Sequence, residues 1–452
     1  MKTDHRKLKK RIIALTICIA VLCAILLYMV LANSRYVEVI SYFSSLLVQR
    51  PLVYFMLMLW GIVLISLVIL IIIVIHDIVV LRKSGKKKYR FSMLNAIDDE
   101  MQGYISQNIN ETTLQEFCEN FRSFCSYKLG LYYDISVIRR FIAGMGVSHL
   151  MILQGMSGTG KTSLAYAFGE YISNESVIVP VQPMWKERSD MVGYFNEFTG
   201  RFNETTLLRK MYEAQYTDNI YIVVLDEVNI SRIEYYFAEF LSLLEIPDEN
   251  KRYLEVVTDV WPDDPKKLKD GKILLPANMW FIGTANNDDS TFAISDKVYD
   301  RAMIVNLDKK AKPFDSTPVY EKQMSYRYFK KLCIEAGDKY KISESTGNNI
   351  RKLDQYLVQV FGITFGNRIL SQIESYVSIM VACGGSELDA VDDMLAGKIL
   401  RKLEQLNPTF VQDRINNLKN VIEGLFGEGN MPLCIEYIEE RRRLTTYVST
   451  EA

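Results

Sequence analysis

The chain is 452 residues long, enough for two or three domains. Its 53 Lys and Arg against 54 Asp and Glu give a formal net charge of -1, which excludes a globally basic, polyanion-binding protein; nucleic acid is a partner that the charge does not indicate. Seven scattered cysteines with no C-x-x-C pair, and only three histidines, leave little scope for a metal centre built on those side chains and suit a reducing compartment for the soluble part.

The apolar residues are concentrated at the N-terminus. Ile12 to Ala32 is an almost unbroken apolar run, and Leu52 to Ile75 is a second. Each is long enough to cross a bilayer as a helix. Lys2, Arg6, Lys7, Lys9, Lys10 and Arg11 precede the first run, and Arg82, Lys83, Lys86, Lys87, Lys88 and Arg90 follow the second. The stretch between them holds only Arg35 and Arg50 as basic residues. The positive-inside rule then places both ends in the cytoplasm and the short connection outside. The first run is long for a signal peptide, and Ala32-Asn33-Ser34 is a poor cleavage match. Neither run carries an internal charged pair, so the pair reads as an anchor and not as an ion pathway. The expectation is an inner- or plasma-membrane protein with spans at about 12–32 and 52–75, in contact with the lipid bilayer.

Four regions follow from this pattern: an anchor over 1–90, a helical stalk or linker over 91–127, a core over 128–310, and a helical lid with a tail over 311–452. Within the stalk, Thr112-Thr113 followed by Glu116 has the spacing of a capping box. A further helix is expected between Leu129 and Gly144. Tyr132 and Tyr133, just ahead of the next motif, are placed to line a base pocket.

Gly155-Met156-Ser157-Gly158-Thr159-Gly160-Lys161-Thr162 reads G-x-x-x-x-G-K-[ST]. An apolar strand signal, His149 to Gln154, precedes it, and a helix signal from Ser163 follows. That context makes the stretch a phosphate-binding loop. Glycines let backbone N–H groups turn inward, and the helix N-terminus adds a positive dipole end. Residues Gly155 through Ser163 are the nucleotide-contacting set, with Lys161 reaching the outer phosphates and Thr162 ligating Mg²⁺.

A second strand is expected at Ser176 to Val181. Trp185 to Asn196 is turn-rich, and reads either as a surface loop or as an inserted element facing a pore. Tyr221 to Glu227 is a buried-strand signal ending in two acids. Asp226 is placed to hold Mg²⁺ through water, and Glu227 to polarise an attacking water. Asn229 either senses the nucleotide or shapes this turn. An amphipathic helix over Arg232 to Leu244 and a charged hairpin from Lys251 to Leu275 come next. Met279 to Asn286 is a fourth strand, with Asn286 positioned beside the acids to hold the water. Arg301, before a strand at Met303 to Leu307, could reach a phosphate in a neighbouring subunit; its ordinary alternative is a salt bridge with Asp300 or Asp296. Helices are expected at 320–336, 349–360, 367–383 and 389–405. Arg368 could turn toward the phosphates from the lid.

Taken in order, these motifs resemble the AAA+ ATPases, and within them the McrB-like and dynein-related branch. Val223-Val224-Leu225-Asp226-Glu227 with Asn229 resembles its D-E-x-N form. Asp190-Met191-Val192-Gly193-Tyr194 resembles the D-L-x-G element of its insert, and Pro276 to Asn286 resembles P-x-N-x-x-x-I-G-T-x-N, with Asn286 as sensor 1. Arg301 falls at the arginine finger and Arg368 at sensor 2. The chain departs from the family in having Asn229-Ile230-Ser231-Arg232 after the acids and a single finger arginine. The resemblance implies an α/β P-loop core with a C-terminal helical lid, ATP or GTP with Mg²⁺, hydrolysis, and self-association in a ring, expected to be a hexamer. The leading expectation is a membrane-anchored motor that remodels a protein partner. The alternatives are a defence motor acting on DNA with a nuclease partner, and a nucleotide-gated scaffold without turnover.

Overall fold

The computed structural model describes Val21, Ile25 and residues 51–83, 89–101, 111–286 and 291–450. The expected first span at 12–32 and its flanks therefore lie outside the described residues except for Val21 and Ile25, as do Lys86 to Lys88 and residues 287–290. The chain divides into two compact units after Lys88.

Of the first unit, one long helix is described, α1 (Pro51–Lys83). Its Met58–His76 stretch has a mean hydropathy of 3.3 and none of it is buried, so by length and composition it can cross a membrane. A helix satisfies its own backbone polar groups, as a hydrocarbon environment requires. It continues past the expected end at Ile75, because no glycine or proline interrupts the chain until Gly85.

The second unit is built on a parallel sheet of β1 (Leu150–Gly155), β2 (Val177–Pro180), β5 (Tyr221–Asp226), β9 (Met279–Asn286) and β10 (Met303–Asn306). Their order is β10-β1-β9-β5-β2. Successive residues alternate between two apolar cores. Met151, Leu153, Ile222, Val224, Trp280 and Ile282 belong to one. Leu150, Ile152, Val223, Leu225, Met279 and Phe281 belong to the other. Both faces are covered, which explains why these strands read as unbroken apolar runs.

The described residues of the expected stalk, 91–101 and 111–127, pack into the second unit. Helix α2 (Ser92–Glu100) sends Leu94 and Ile97 into one core, where Phe91 joins them. Helix α3 (Leu114–Leu129) sends Phe117, Phe121 and Phe124 into the other, and all three rings pack on Tyr171. The aromatic spacing of four and three residues makes one helical stripe, and a stripe of that size needs a partner surface. At the head of α3, the Glu116 N–H donates to the Thr113 hydroxyl at 3.1 Å, while the Glu116 carboxylate accepts from Thr112. The buried Arg90 anchors the start of this segment. It bonds Asp259 at 2.9 Å and Asp264 at 2.6 Å, and stacks on Trp261.

Helix α4 (Ile135–Val147) leads into β1, and α5 (Lys161–Tyr171) leaves the phosphate loop. The turn-rich stretch after β2 forms α6 (Arg188–Val192) and an antiparallel hairpin of β3 (Gly193–Asn196) with β4 (Arg201–Glu204). Helices α7 (Thr206–Glu213), α8 (Ile233–Tyr236) and α9 (Ala238–Leu244) flank the sheet. The charged hairpin is β6 (Tyr253–Glu255) paired with β8 (Lys272–Leu274), extended by β7 (Leu268–Lys269). After α10 (Asp296–Tyr299) and β10 come the C-terminal helices α11 (Tyr326–Lys339), α12 (Glu344–Phe361), α13 (Gly366–Ala382), α14 (Glu387–Met394), α15 (Pro408–Phe426) and α16 (Pro432–Thr450). The expected helix over 389–405 is broken, because a π-turn at Leu395–Ile399 and a 3₁₀ turn at Leu400–Gln405 follow α14.

Candidate active site

The parallel strands β1, β5 and β9 end on one edge of the sheet. Gly155 lies opposite Asn286 in register, and Asp226 closes β5. The loop after β1 turns on glycines that nothing else replaces. Gly155 has φ 145°, and a Cβ there would stand 2.6 Å from the Leu307 carbonyl oxygen. Gly160 has φ 92° and precedes α5 directly. Its carbonyl accepts the Tyr133 hydroxyl at 2.9 Å. Lys161 is buried and folded back, with Nζ donating to the Gly155 oxygen at 2.9 Å and the Met156 oxygen at 2.8 Å.

Beside this loop lies a chain of hydroxyls and carboxylate. The Thr162 hydroxyl donates to Asp226 Oδ1 at 2.7 Å. The Thr284 hydroxyl donates to the same oxygen at 2.8 Å and accepts the Glu227 N–H at 2.9 Å. Glu227 is exposed, with left-handed φ 57° and ψ 54°. That conformation is uncommon for a residue with a long side chain. The bond from its N–H to Thr284 helps hold this turn. Asn229 is buried and ties the strand ends together. Its amide donates to the Asn286 carbonyl at 2.8 Å and to Thr291 Oγ1 at 2.9 Å, while its Oδ1 is buried without a partner among the described residues. Ser157, Gly158 and Thr159 complete the loop, with the Thr159 hydroxyl bonded to the Met156 oxygen at 3.0 Å, and Ser163 lies in the first turn of α5.

A cavity of about 200 Å³ adjoins the loop, lined by Tyr132, Asp134, Val137, Thr159, Leu307 and Lys309 among others. Of the two tyrosines, Tyr133 also lines it, but its hydroxyl is engaged with Gly160. The half-buried Asp308 sits at the base of the loop, and burial pushes its carboxyl above the usual range despite Lys309 and Lys161.

Arg301 lies at the opposite edge. The Ser148 hydroxyl, ahead of β1, bonds the Arg301 carbonyl at 2.8 Å. The run of β1 separates this point from the phosphate loop by roughly 20 Å at the rise of an extended chain. Arg301 pairs with neither Asp300 nor Asp296. Its guanidinium reaches Glu245 Oε1 at 2.6 Å and the Lys297 carbonyl at 2.5 Å. Arg368 does not turn toward this chain's phosphate loop; it also bonds Glu245 Oε1, at 2.6 Å. A carboxylate following α9 draws it to Arg301.

Thr284, Glu245 and Asp308 take part in these clusters without having been singled out in the sequence. Thr284 was within reach, since a hydroxyl two residues before Asn286 falls at a strand end that faces the acids. Glu245 carries no local signal.

Sheet order, phosphate loop and strand-end acids together define the AAA+ P-loop NTPase fold. Within that class, the family model for the AAA domain of the dynein-related subfamily matches residues 150–302, from the start of β1 to the threshold of β10. Such domains typically bind nucleotide with Mg²⁺ and generally assemble in rings. Among solved structures, a full-length MCM homolog from Methanopyrus kandleri is similar over 64% of this chain at 11% identity, with a TM-score of 0.36. This chain spans 61% of that one. No curated protein matches the chain.

Proposed function

We propose that the protein is a membrane-anchored AAA+ NTPase that hydrolyses ATP, or GTP in its place, to remodel a protein partner. The observation that carries the reading is the chain from Thr162 through Asp226 and Thr284 to the Glu227 N–H. It joins a loop that suits phosphate to a carboxylate that suits water. The hydroxyl of Thr162 and the carboxylate of Asp226 are hard oxygen donors, of the kind Mg²⁺ prefers. When bound, the ion would neutralise charge on the phosphate oxygens.

In this reading the backbone N–H groups from Gly155 to Ser163 hold the phosphates, and Lys161 exchanges two loop carbonyls for phosphate oxygens. Glu227 orients the attacking water and takes its proton, with Asn286 as a second anchor. The water attacks the γ-phosphorus in line, the bond to the bridging oxygen breaks, and nucleoside diphosphate and phosphate result. Arg301 cannot reach its own loop across the sheet, so it serves the phosphate of a neighbouring copy, and a ring follows, inferred to be hexameric. In this reading the cavity at Tyr132 and Asp134 receives the base.

The anchor is supported by α1 and its basic flank. The β3–β4 hairpin, whose tip carries the fully exposed Phe198, is the surface this reading assigns to the partner. The test is Glu227→Gln in the full chain. Turnover should fall by at least about 100-fold, the usual worth of a general base, while nucleotide binding persists. Unimpaired turnover would end the mechanism. The same trapped variant, captured from membranes, should retain the partner; turnover stimulated by DNA would instead redirect the reading to nucleic acid.

A further inference from the structure

We infer that Glu245 is a positioning residue that gathers Arg301 and Arg368 into one receiving pair for the phosphate held by a neighbouring copy. The inference rests on the inter-subunit reading above and adds a role for two residues it leaves unconnected. Both guanidinium groups sit 2.6 Å from the same carboxylate oxygen, Glu245 Oε1. Two cations this close repel one another, and the shared carboxylate offsets that repulsion. Burial alone would raise the Glu245 carboxyl, but the hydrogen bonds and charges of Arg301 and Arg368 outweigh it and hold the group below the usual carboxylate range.

Two further observations give the cluster its direction. Arg301 is held at both ends, its guanidinium donating to the Lys297 carbonyl at 2.5 Å and its own carbonyl accepting the Ser148 hydroxyl, while its Nε is buried without a partner among the described residues. Arg368 comes from the first turn of α13 and is half exposed. Exposed ion pairs of this kind are weak and readily exchanged. A phosphate carries more charge than a carboxylate and accepts from two guanidinium groups at once, so it can take the place of Glu245 Oε1 with both arginines already gathered. Glu245 touches no reacting atom in this scheme and acts through the arginines.

The test is steady-state hydrolysis by the full-length protein reconstituted in lipid vesicles, with Glu245→Ala, Arg301→Ala, Arg368→Ala and the Glu245→Ala/Arg368→Ala double variant. Glu245→Ala should lower kcat by roughly tenfold, within the range that misplaced groups cost, and leave KM within about twofold. Arg368→Ala should lower kcat in the wild-type background and have little further effect in the Glu245→Ala background, because the pairing is already lost. Glu245→Gln keeps the size and the shared acceptor without the charge. It should show an intermediate kcat, and it carries the test if the alanine variant fails to fold. A kcat at or above wild type for either Glu245 variant overturns the inference, as does additive loss in the double variant. If Arg301→Ala alone leaves turnover intact, the inter-subunit reading itself falls, which is a separate result.

Discussion

The two edges of the central sheet are built on opposite principles. At the carboxyl edge, Thr162, Asp226, Thr284 and the Glu227 N–H satisfy one another at 2.7 to 2.9 Å. At the amino edge, Arg301 and Arg368 meet Glu245 in a charged, partly exposed cluster. The first edge is a set of mostly neutral donors with a single carboxylate, closed on itself and rigid. The second is a store of positive charge whose present partner is replaceable. A site that needs both halves cannot be assembled by one copy when the whole length of β1 lies between them. In the inter-subunit reading proposed above, the phosphate loop is half of a site.

Mixing experiments put this comparison under the greatest strain. Arg301→Ala alone should lose roughly 1000-fold in turnover, the lower end of what an arginine finger supplies. Combined with Glu227→Gln protein, it should regain a measurable share, because each variant contributes the edge the other lacks. Recovery absent at every mixing ratio would mean that the two edges do not cooperate between copies.

A smaller effect is expected inside the closed edge. Thr284→Val keeps the shape but removes one donor to Asp226 and the acceptor for the Glu227 N–H. It should cost about 1–3 kcal/mol of stability, read by denaturant unfolding, and reduce turnover by roughly tenfold. Wild-type stability in this variant would show the hydroxyl chain to be incidental.

The last effect is set by pH at the amino edge and vanishes at neutral pH. Burial pushes the His149 ring down to about 4, against the pull of its bond to the Ala277 carbonyl, and the ring stacks on Trp280. In the unfolded chain the ring titrates near 6.5, so between these values the unfolded state binds more protons. The stability contributed by the neutral ring is therefore complete above about pH 6.5 and is lost as pH falls toward 4, at most about 3 kcal/mol. Comparing wild type with His149→Phe across that window isolates the contribution; parallel curves would remove His149 as its source.

Much of this was legible in the sequence where local chemistry dictates local structure. The phosphate loop declares itself because its glycines and lysine are needed in one order. Strands such as Tyr221–Asp226 declare themselves because a sheet covered on both faces demands apolar residues throughout. The aromatic helix at 114–129 was visible as a helix but not as part of the core, since its stripe says that it packs and not against what. Glu245 was invisible for the same reason, because its partners stand 56 and 123 positions further on and meet it only in the folded chain. The broken helix at 395–405 turns on contacts that periodicity does not carry. Buried Lys398 leaves the π-turn to bond Gln372 at 2.5 Å and the Asp300 carbonyl at 3.4 Å.

Arg90 has a mechanical consequence. Its carboxylate partners, Asp259 and Asp264, lie on the loop that also carries Trp261. This guanidinium ties the start of the second unit to that loop. Phe91, packed against Phe202, ties the same stretch to the β3–β4 hairpin.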